Sequence, residues 1–365
     1  MSMLFSPISL NGLDLANRIV IPPMDQYSAE DGLLSEWHFM HYGNLAVSGA
    51  GLLMVEATAV EAPGRISPYD LGLWNQEQEE AFRKLLSFIR AFSCTPLAVQ
   101  LGHAGRKASS ARPWEGRGFV PPEAGGWEVF APTADRYEPI APKPVPLATD
   151  DLRRLVRSFC DAAARAHRAG FDAIELHAAH GYLLHQFLSP LSNSRTDEYG
   201  GSLENRMRFP LEVFSAVRAA VPGDMPVGVR VSGSDFAAGG WDVPECAVFA
   251  RELEKLGCSF IHVSGGGLTP NQKISLAPGY QVSMAARVKE ALTTMPVIAV
   301  GLITSPELAD GIIVTGQADM VAVGRGILYN PRWPWHAAAQ LGVSMQNAPR
   351  QYLRCEPRMH KGLFV

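Results

Sequence analysis

Eight short apolar segments, each rich in β-branched residues or alanine and bounded by Gly or Pro, recur along this chain with longer helical patterns between them. They are RIVIPPM (18–24), LLMVEATAV (52–60), PLAVQLGHA (96–104), DAIELHAAH (172–180), MPVGVRVSG (225–233), SFIHVSGG (259–266), MPVIAVG (295–301) and DMVAVGRG (319–326). A strand with one wet face alternates apolar and polar residues. These segments are apolar on both faces, as parallel strands covered on both sides are. Eight β-then-α units in series predict an α/β fold, a closed (β/α)8 barrel rather than a doubly wound sheet. Such a barrel with insertions absorbs all 365 residues as one domain, 1–365.

The intervening segments are amphipathic. In DDLRRLVRSFCDAAARAHRAG (150–170), Leu152, Leu155, Val156, Phe159 and Ala163 share one helical face, with Thr149 or Asp150 as the expected N-cap and Gly170 as the stop. Segments 203–221, 245–257 and 305–316 have the same character. The last opens with Ser305 as cap and Pro306 at the first helical position. Two regions stand outside the repeat. Residues 6–18 read as a hairpin turning at Asn11-Gly12, a cap for the bottom of the barrel. Residues 107–148, rich in Pro, Gly and Trp, read as a long loop after the third barrel strand, of a length that is usually functional or mobile.

Charge and cysteine usage narrow the class of partner. The net charge of −4 leaves no basic footprint for nucleic acid. Cysteines at 94, 160, 246, 258 and 355 are dispersed and odd in number, which fits a reducing cytoplasm better than a disulfide framework. The segment MSMLFSPISLNG does not have the pattern of a signal peptide, and no apolar run approaches the ~18 residues of a membrane span.

A barrel of this kind carries its chemistry at the C-terminal ends of its strands. Those ends supply Asp25, Gln26 and Tyr27, then Glu56, Ala57 and Thr58, then Gln100 and His103. They continue with His177, His180 and Tyr182, then Arg230, then His262 and Ser264, and finish with Gly301, Gly324 and Arg325. Glycines after strands seven and eight let backbone N–H groups approach an anion, so Gly301, Gly324 and Arg325 predict a phosphorylated ligand; the alternative is two tight turns. His177 and His180 have three readings: donors to a carbonyl or anionic oxygen, part of a zinc site lacking its third ligand, or histidines satisfied by loop backbone. Tyr182 is either a proton donor in a dry site or a packing residue.

The motifs ANRIVIPPM, EATAV, QLGHAGRKAS, ELHAAHGYLLHQFLSP and NSRTDEYGGSLENRMRF together resemble the Old Yellow Enzyme family, in its thermophilic-like branch with the xenobiotic reductases, over essentially the whole chain. The resemblance implies an FMN-dependent ene-reductase of the NADPH dehydrogenase type. NAD(P)H would reduce FMN, which would pass hydride to the β-carbon of an α,β-unsaturated carbonyl or nitro compound, with protonation at the α-carbon. It places Pro22, Pro23, Met24 and Asp25 along the flavin, Ala57 and Gln100 on its ring, and Arg230 beside N1 and the C2 carbonyl. Gly301, Gly324 and Arg325 match the phosphate cradle. His177 and His180 match the pair that binds the substrate oxygen, Tyr182 the proton donor, and Tyr27 a substrate-contacting phenol. Arg354 matches an arginine reaching into a neighbouring subunit of a homodimer or homotetramer. No metal is implied, and the partners implied are small activated alkenes.

Asp25 departs from the pattern, because that branch carries cysteine there. An ionised carboxylate beside the flavin would disfavour its reduced state; a protonated one would donate a hydrogen bond. An alternative reading is therefore a flavin-binding barrel with altered or impaired redox activity. Two other classes share the barrel. An iron–sulfur reductase needs clustered cysteines that this chain lacks, and a metal-dependent hydrolase needs a fuller ligand set.

Overall fold

The computed structural model describes residues 2–116, 118–346 and 348–364; Arg117 of the long loop lies outside them. Its elements, in chain order, begin with the strands β1 (Ile8–Leu10), β2 (Leu13–Leu15) and β3 (Ile19–Ile21), then α1 (Glu36–Ala46), β4 (Leu52–Ala59), α2 (Gln76–Arg90) and β5 (Leu97–Gly102). Next come β6 (Phe130–Ala131), β7 (Val145–Pro146), α3 (Thr149–Ala169), β8 (Ala173–Ala178), α4 (Leu183–Leu188), α5 (Leu203–Ala220), β9 (Val227–Ser232) and α6 (Val243–Lys255). The chain ends through β10 (Ile261–Ser264), α7 (Val282–Lys289), β11 (Val297–Ala299), α8 (Pro306–Val314), β12 (Met320–Ala322), α9 (Arg325–Tyr329) and α10 (Trp333–Leu341). Strands β3, β4, β5, β8, β9, β10, β11 and β12 pair in parallel and close on themselves, so the predicted (β/α)8 barrel forms with the eight predicted segments as its staves.

Side-chain alternation along each stave sorts the core into two shells. Outward residues such as Ile19, Val99, Ile174, Val229 and Val263 pack against the helices. Inward residues Val20, Leu52, Met54, Ala98, Ala173, Phe260, Ile298 and Met320 form a second cluster, closed from below by Leu10 and Leu15 of the β1–β2 hairpin. The hairpin turns at Asn11 (φ 46°) and Gly12 (φ 89°), both left-handed as a tight Asn-Gly turn requires. The Asn11 side chain donates to Gly223 O at 2.7 Å, pinning this plug to the loop before β9.

One capping expectation is corrected. α3 begins at Thr149, so Ala148 is its cap residue, and the capping carboxylate is Asp151, which accepts the Ala148 N–H at 2.9 Å. Gly170 (φ 101°) ends the helix as expected, and Ser305 caps α8 ahead of Pro306. The 107–148 loop is not featureless. It holds the short pair β6–β7 and is fastened by Trp127 Nε1 to Pro63 O (2.9 Å) and by Arg195 Nη1 to Pro132 O (2.9 Å) and Leu147 O (2.6 Å).

Candidate active site

Moving up the barrel interior, the inward positions change from apolar to polar within one pleat. Two residues above Ala98 on β5 is Gln100, and two above Ala173 on β8 is Glu175, its register partner. Two above Phe260 is His262, paired in register with Arg230. Gln100 Nε2 donates to Glu175 Oε1 at 2.7 Å, and Glu175 Oε2 lies 2.9 Å from His262 Nδ1. Arg230 is buried beside them, and its Nε has no partner among the described residues. Desolvation lowers its pKa, opposed by the charges of Glu175 and Asp25. A buried guanidinium with an unused N–H wants an anionic or carbonyl acceptor in the space above it.

That space exists. A cavity of about 350 Å³ at the barrel mouth brings together Pro22, Pro23, Met24, His180, Arg230, Gly301, Gly324 and Arg325 of the residues expected from the sequence. Gly301 (φ 125°) adopts a backbone that side chains rarely take, and a Cβ on Gly324 would stand 3.4 Å from Met24 Sδ and 3.5 Å from Pro22 Cγ, inside the cavity. The cavity is thus lined by glycine backbone with Arg325 and also by the buried guanidinium of Arg230. Such a lining suits a ligand that carries a phosphate and a second, electron-rich acceptor.

His177, Tyr182 and Ala57 line an adjoining pocket, together with Ile66, Asp70 and His103. The two spaces meet at the histidines, where His180 Nδ1 is 3.4 Å from His177 Nε2. His177 Nδ1 accepts the Ala179 N–H at 3.2 Å, which leaves the proton on Nε2. His180 sits at φ 58°, its N–H held by Ser232 Oγ at 2.9 Å and its Nε2 2.8 Å from Ser264 Oγ. Burial, reinforced by the Arg230 charge, pushes both imidazoles well below their ordinary pKa, so both are neutral at pH 7. Among the described residues no set of three or more His, Cys, Asp or Glu side chains gathers as metal ligands. Tyr182 packs edge-on against His177, ring centroids 4.8 Å apart, and burial raises its pKa well above that of a free phenol.

Asp25 sits between the two spaces and accepts the Ala57 N–H at 3.2 Å. Desolvation raises its pKa well above the usual carboxylate range, with Asp70 and Glu56 adding repulsion. Tyr27 has φ 51° and meets Trp114 of the long loop edge-on, centroids 5.8 Å apart. Gln100 lies beneath, with one amide N–H donated to Glu175 and its second N–H and carbonyl oxygen left for a ligand. Arg354 is exposed on the C-terminal 3-10 turn, whose Tyr352 packs on Trp335, and lines neither space.

The sequence reading placed Glu56 at the barrel mouth but missed its supporting role, and it missed Glu175. Glu56 receives the Gln26 N–H at 2.7 Å and the Tyr42 hydroxyl at 2.8 Å, which fixes the Asp25–Tyr27 turn; a register shift at Val55/Ala57 of β4 accompanies it. Glu175 carried a usable signal, since it stands two residues before His177 on the same inward face. No helix among the described residues is long and apolar enough to cross a membrane.

Residues 3–343 match the family model described as NADH:flavin oxidoreductase / NADH oxidase family. An NADPH dehydrogenase of Geobacillus thermodenitrificans is 41% identical over 355 residues, covering 97% of this chain and 98% of that protein. Morphinone reductase superposes with a TM-score of 0.78 at 28% identity, covering 100% of this chain and 96% of its own. A 2-naphthoyl-CoA reductase chain superposes at 0.83 with 23% identity; this chain spans 52% of it, and the likeness there is one of fold.

Proposed function

The chain belongs to the NADH:flavin oxidoreductase / NADH oxidase family, also known as the Old Yellow Enzyme family, whose members use FMN with NAD(P)H as electron donor, and from that premise we propose that this oxidoreductase reduces activated alkenes. The observation that carries the reading is the pair of neutral histidines, 3.4 Å apart, at the junction between the glycine-and-arginine cavity and the Tyr182 pocket.

Pro22, Pro23, Met24, Gln100, Arg230, Gly301, Gly324 and Arg325 would hold FMN, with Asp25 and Ala57 at its edge. When bound, FMN supplies the redox step, accepting two electrons from NAD(P)H and giving them up at the β-carbon of the alkene. The protein's own groups do the rest. As the β-carbon is reduced, negative charge gathers on the conjugated oxygen of the substrate. His177 offers Nε2–H to that oxygen. His180 offers Nδ1–H when the Ser264 hydroxyl donates to its Nε2, so two N–H groups converge on one acceptor. Neutral imidazoles serve here because they donate without adding a buried charge. Tyr182, protonated at all ordinary pH values, gives its phenolic proton to the α-carbon. Tyr27, braced edge-on by Trp114 of the long loop, would contact the substrate from that side. Arg354 is exposed and free to serve a neighbouring subunit, which fits a homodimer or homotetramer acting on small molecules in the cytoplasm.

The test uses the purified holoprotein without oxygen. NADPH should bleach the flavin band, and 2-cyclohexenone should restore it while yielding cyclohexanone. Bleaching without restoration by enones or nitroalkenes would leave the flavin oxidoreductase intact and remove the alkene reading.

A further inference from the structure

Lys107 closes the 3-10 turn after β5 and directs its ammonium between three other segments of the barrel mouth. Nζ donates to His180 O at 2.8 Å and to Gly267 O at 2.9 Å. It also lies over two aromatic rings, 4.9 Å from the centroid of Tyr182 and 5.1 Å from that of Tyr137. Desolvation, with the Arg106 charge adding to it, brings its pKa down to about 8. Burying a lysine without a carboxylate is costly, and the compensation here is two carbonyl oxygens and two π faces.

The place it holds is the strained one. His180 (φ 58°) and Gly181 (φ 75°) are both left-handed, and a Cβ on Gly181 would fall 2.3 Å from Gly267 O. The loops after β8 and β10 are thus in backbone contact, and Lys107 ties the carbonyls on either side of that contact. The same tie sets where His180 and Tyr182 point.

We propose that Lys107 is a positioning residue acting through Tyr182: it fixes the His180–Tyr182 turn and supplies the positive charge that stabilises the phenolate left on Tyr182 after proton transfer. The inference rests on Tyr182 being the proton donor. In the step concerned, the Tyr182 O–H bond breaks and a C–H bond forms at the substrate α-carbon. The electron pair for the new bond comes from the enolate produced when the β-carbon is reduced. Water then returns a proton to Tyr182. Desolvation, Asp25, Tyr27, Asp70 and Tyr137 all oppose a phenolate at this position. Lys107 is a cation in contact with the ring and opposes them. Arg106 repels it, and His177 and His180, the other titratable groups facing it, are kept neutral in part by its charge.

The experiment measures the two half-reactions of the holoenzyme by stopped flow across pH, for the wild type, Lys107→Met, Lys107→Arg, Tyr182→Phe and the Lys107→Met/Tyr182→Phe double variant. The wild-type rate of flavin reoxidation by 2-cyclohexenone should fall as pH rises through about 8, where Lys107 loses its charge. Lys107→Arg should keep a high rate above that pH, because guanidinium stays charged. Lys107→Met should slow reoxidation roughly tenfold, because the phenolate loses its neighbouring cation, with reduction by NADPH little changed. In the Tyr182→Phe background the same substitution should slow reoxidation far less than it does in the wild type. Equal slowing of both half-reactions, full additivity with Tyr182→Phe, or an alkaline limb that survives in Lys107→Arg would overturn the proposal. Should Lys107→Met lose its flavin, the Lys107→Arg pH profile still decides. Unchanged reoxidation in Tyr182→Phe would instead dispose of the donor reading itself.

Discussion

His180 Nε2 lies 2.8 Å from the Ser264 hydroxyl, and that contact governs which nitrogen of His180 carries its proton. With the proton on Nε2, His180 donates to Ser264 and its Nδ1 faces the Nε2–H of His177 as an acceptor. With the proton on Nδ1, Ser264 donates instead, and both histidines present N–H groups to a ligand oxygen. Only a group that both donates and accepts allows the exchange. We expect Ser264→Ala to weaken phenol binding about five- to tenfold, the worth of ~1 kcal/mol for one hydrogen bond, with FMN retained. Titrating p-hydroxybenzaldehyde against the flavin spectrum checks this; unchanged affinity would mean that the hydroxyl does not direct the tautomer.

Tyr182→Phe should slow flavin reoxidation by enones roughly a hundredfold, within the usual range for general acid catalysis, and leave reduction by NADPH nearly unchanged. The proton is required only when the alkene is consumed. Stopped-flow traces of each half-reaction make the comparison, and equal slowing of both would argue for a packing role.

On the proposed reading Asp25 acts on the flavin rather than on the substrate. Burial, reinforced by Asp70 and Glu56, raises its pKa above the usual carboxylate range. Negative charge gained by the flavin on reduction raises that pKa further, and reduction then draws a proton onto Asp25. The midpoint potential of the wild type should fall more steeply between about pH 5 and about pH 8 than that of Asp25→Asn. At the upper end the wild type should also have the lower potential, because a carboxylate beside the ring disfavours reduction. Spectroelectrochemical titration of both proteins decides, and identical slopes and potentials would make Asp25 a bystander.

Asp70 gives a stability prediction. It accepts the Ile66 and Ser67 N–H groups and the Ser67 hydroxyl, yet desolvation pushes its pKa up to about 7 from 3.8. Because the folded pKa is the higher one, the folded state keeps a proton that the unfolded chain has lost. Stability therefore falls as pH rises from about 4 to about 7, on the order of a few kcal/mol at most, at ~1.4 kcal/mol per pH unit. Asp70→Asn keeps the backbone hydrogen bonds through its carbonyl oxygen and, with the Ser67 hydroxyl rotated to accept, loses that slope. Urea unfolding of both holoproteins across this range tests it; parallel stability curves would refute the buried proton.

The barrel was legible because each stave is a short, largely apolar run, as with Val227, Val229 and Val231 facing outward, its polar residues confined to inward steps near the mouth. The hairpin was legible from Asn11-Gly12, and the mouth residues from their place just past each strand. What pairing across strands creates was not legible. The Gln100–Glu175–His262 chain joins residues 75 and 87 positions apart, and no local pattern announces it. The Lys107 clamp depends on three loops meeting, and the Ser264 contact on a left-handed His180. Ala148 as the cap of α3 escaped because the capping oxygen came from the third helical residue rather than from the cap position.

The central claim is that His177 and His180 stabilise charge on a substrate oxygen above a flavin held by Arg230, Gly301, Gly324 and Arg325. It is tested most directly by reoxidation of the NADPH-reduced protein with 2-cyclohexenone, in wild type and His177→Ala, by anaerobic stopped flow. A lost oxyanion donor of about 3 kcal/mol predicts roughly a hundredfold slower reoxidation in the variant, with FMN bound and reduction by NADPH preserved. A His177→Ala protein that reoxidises at the wild-type rate would contradict the account.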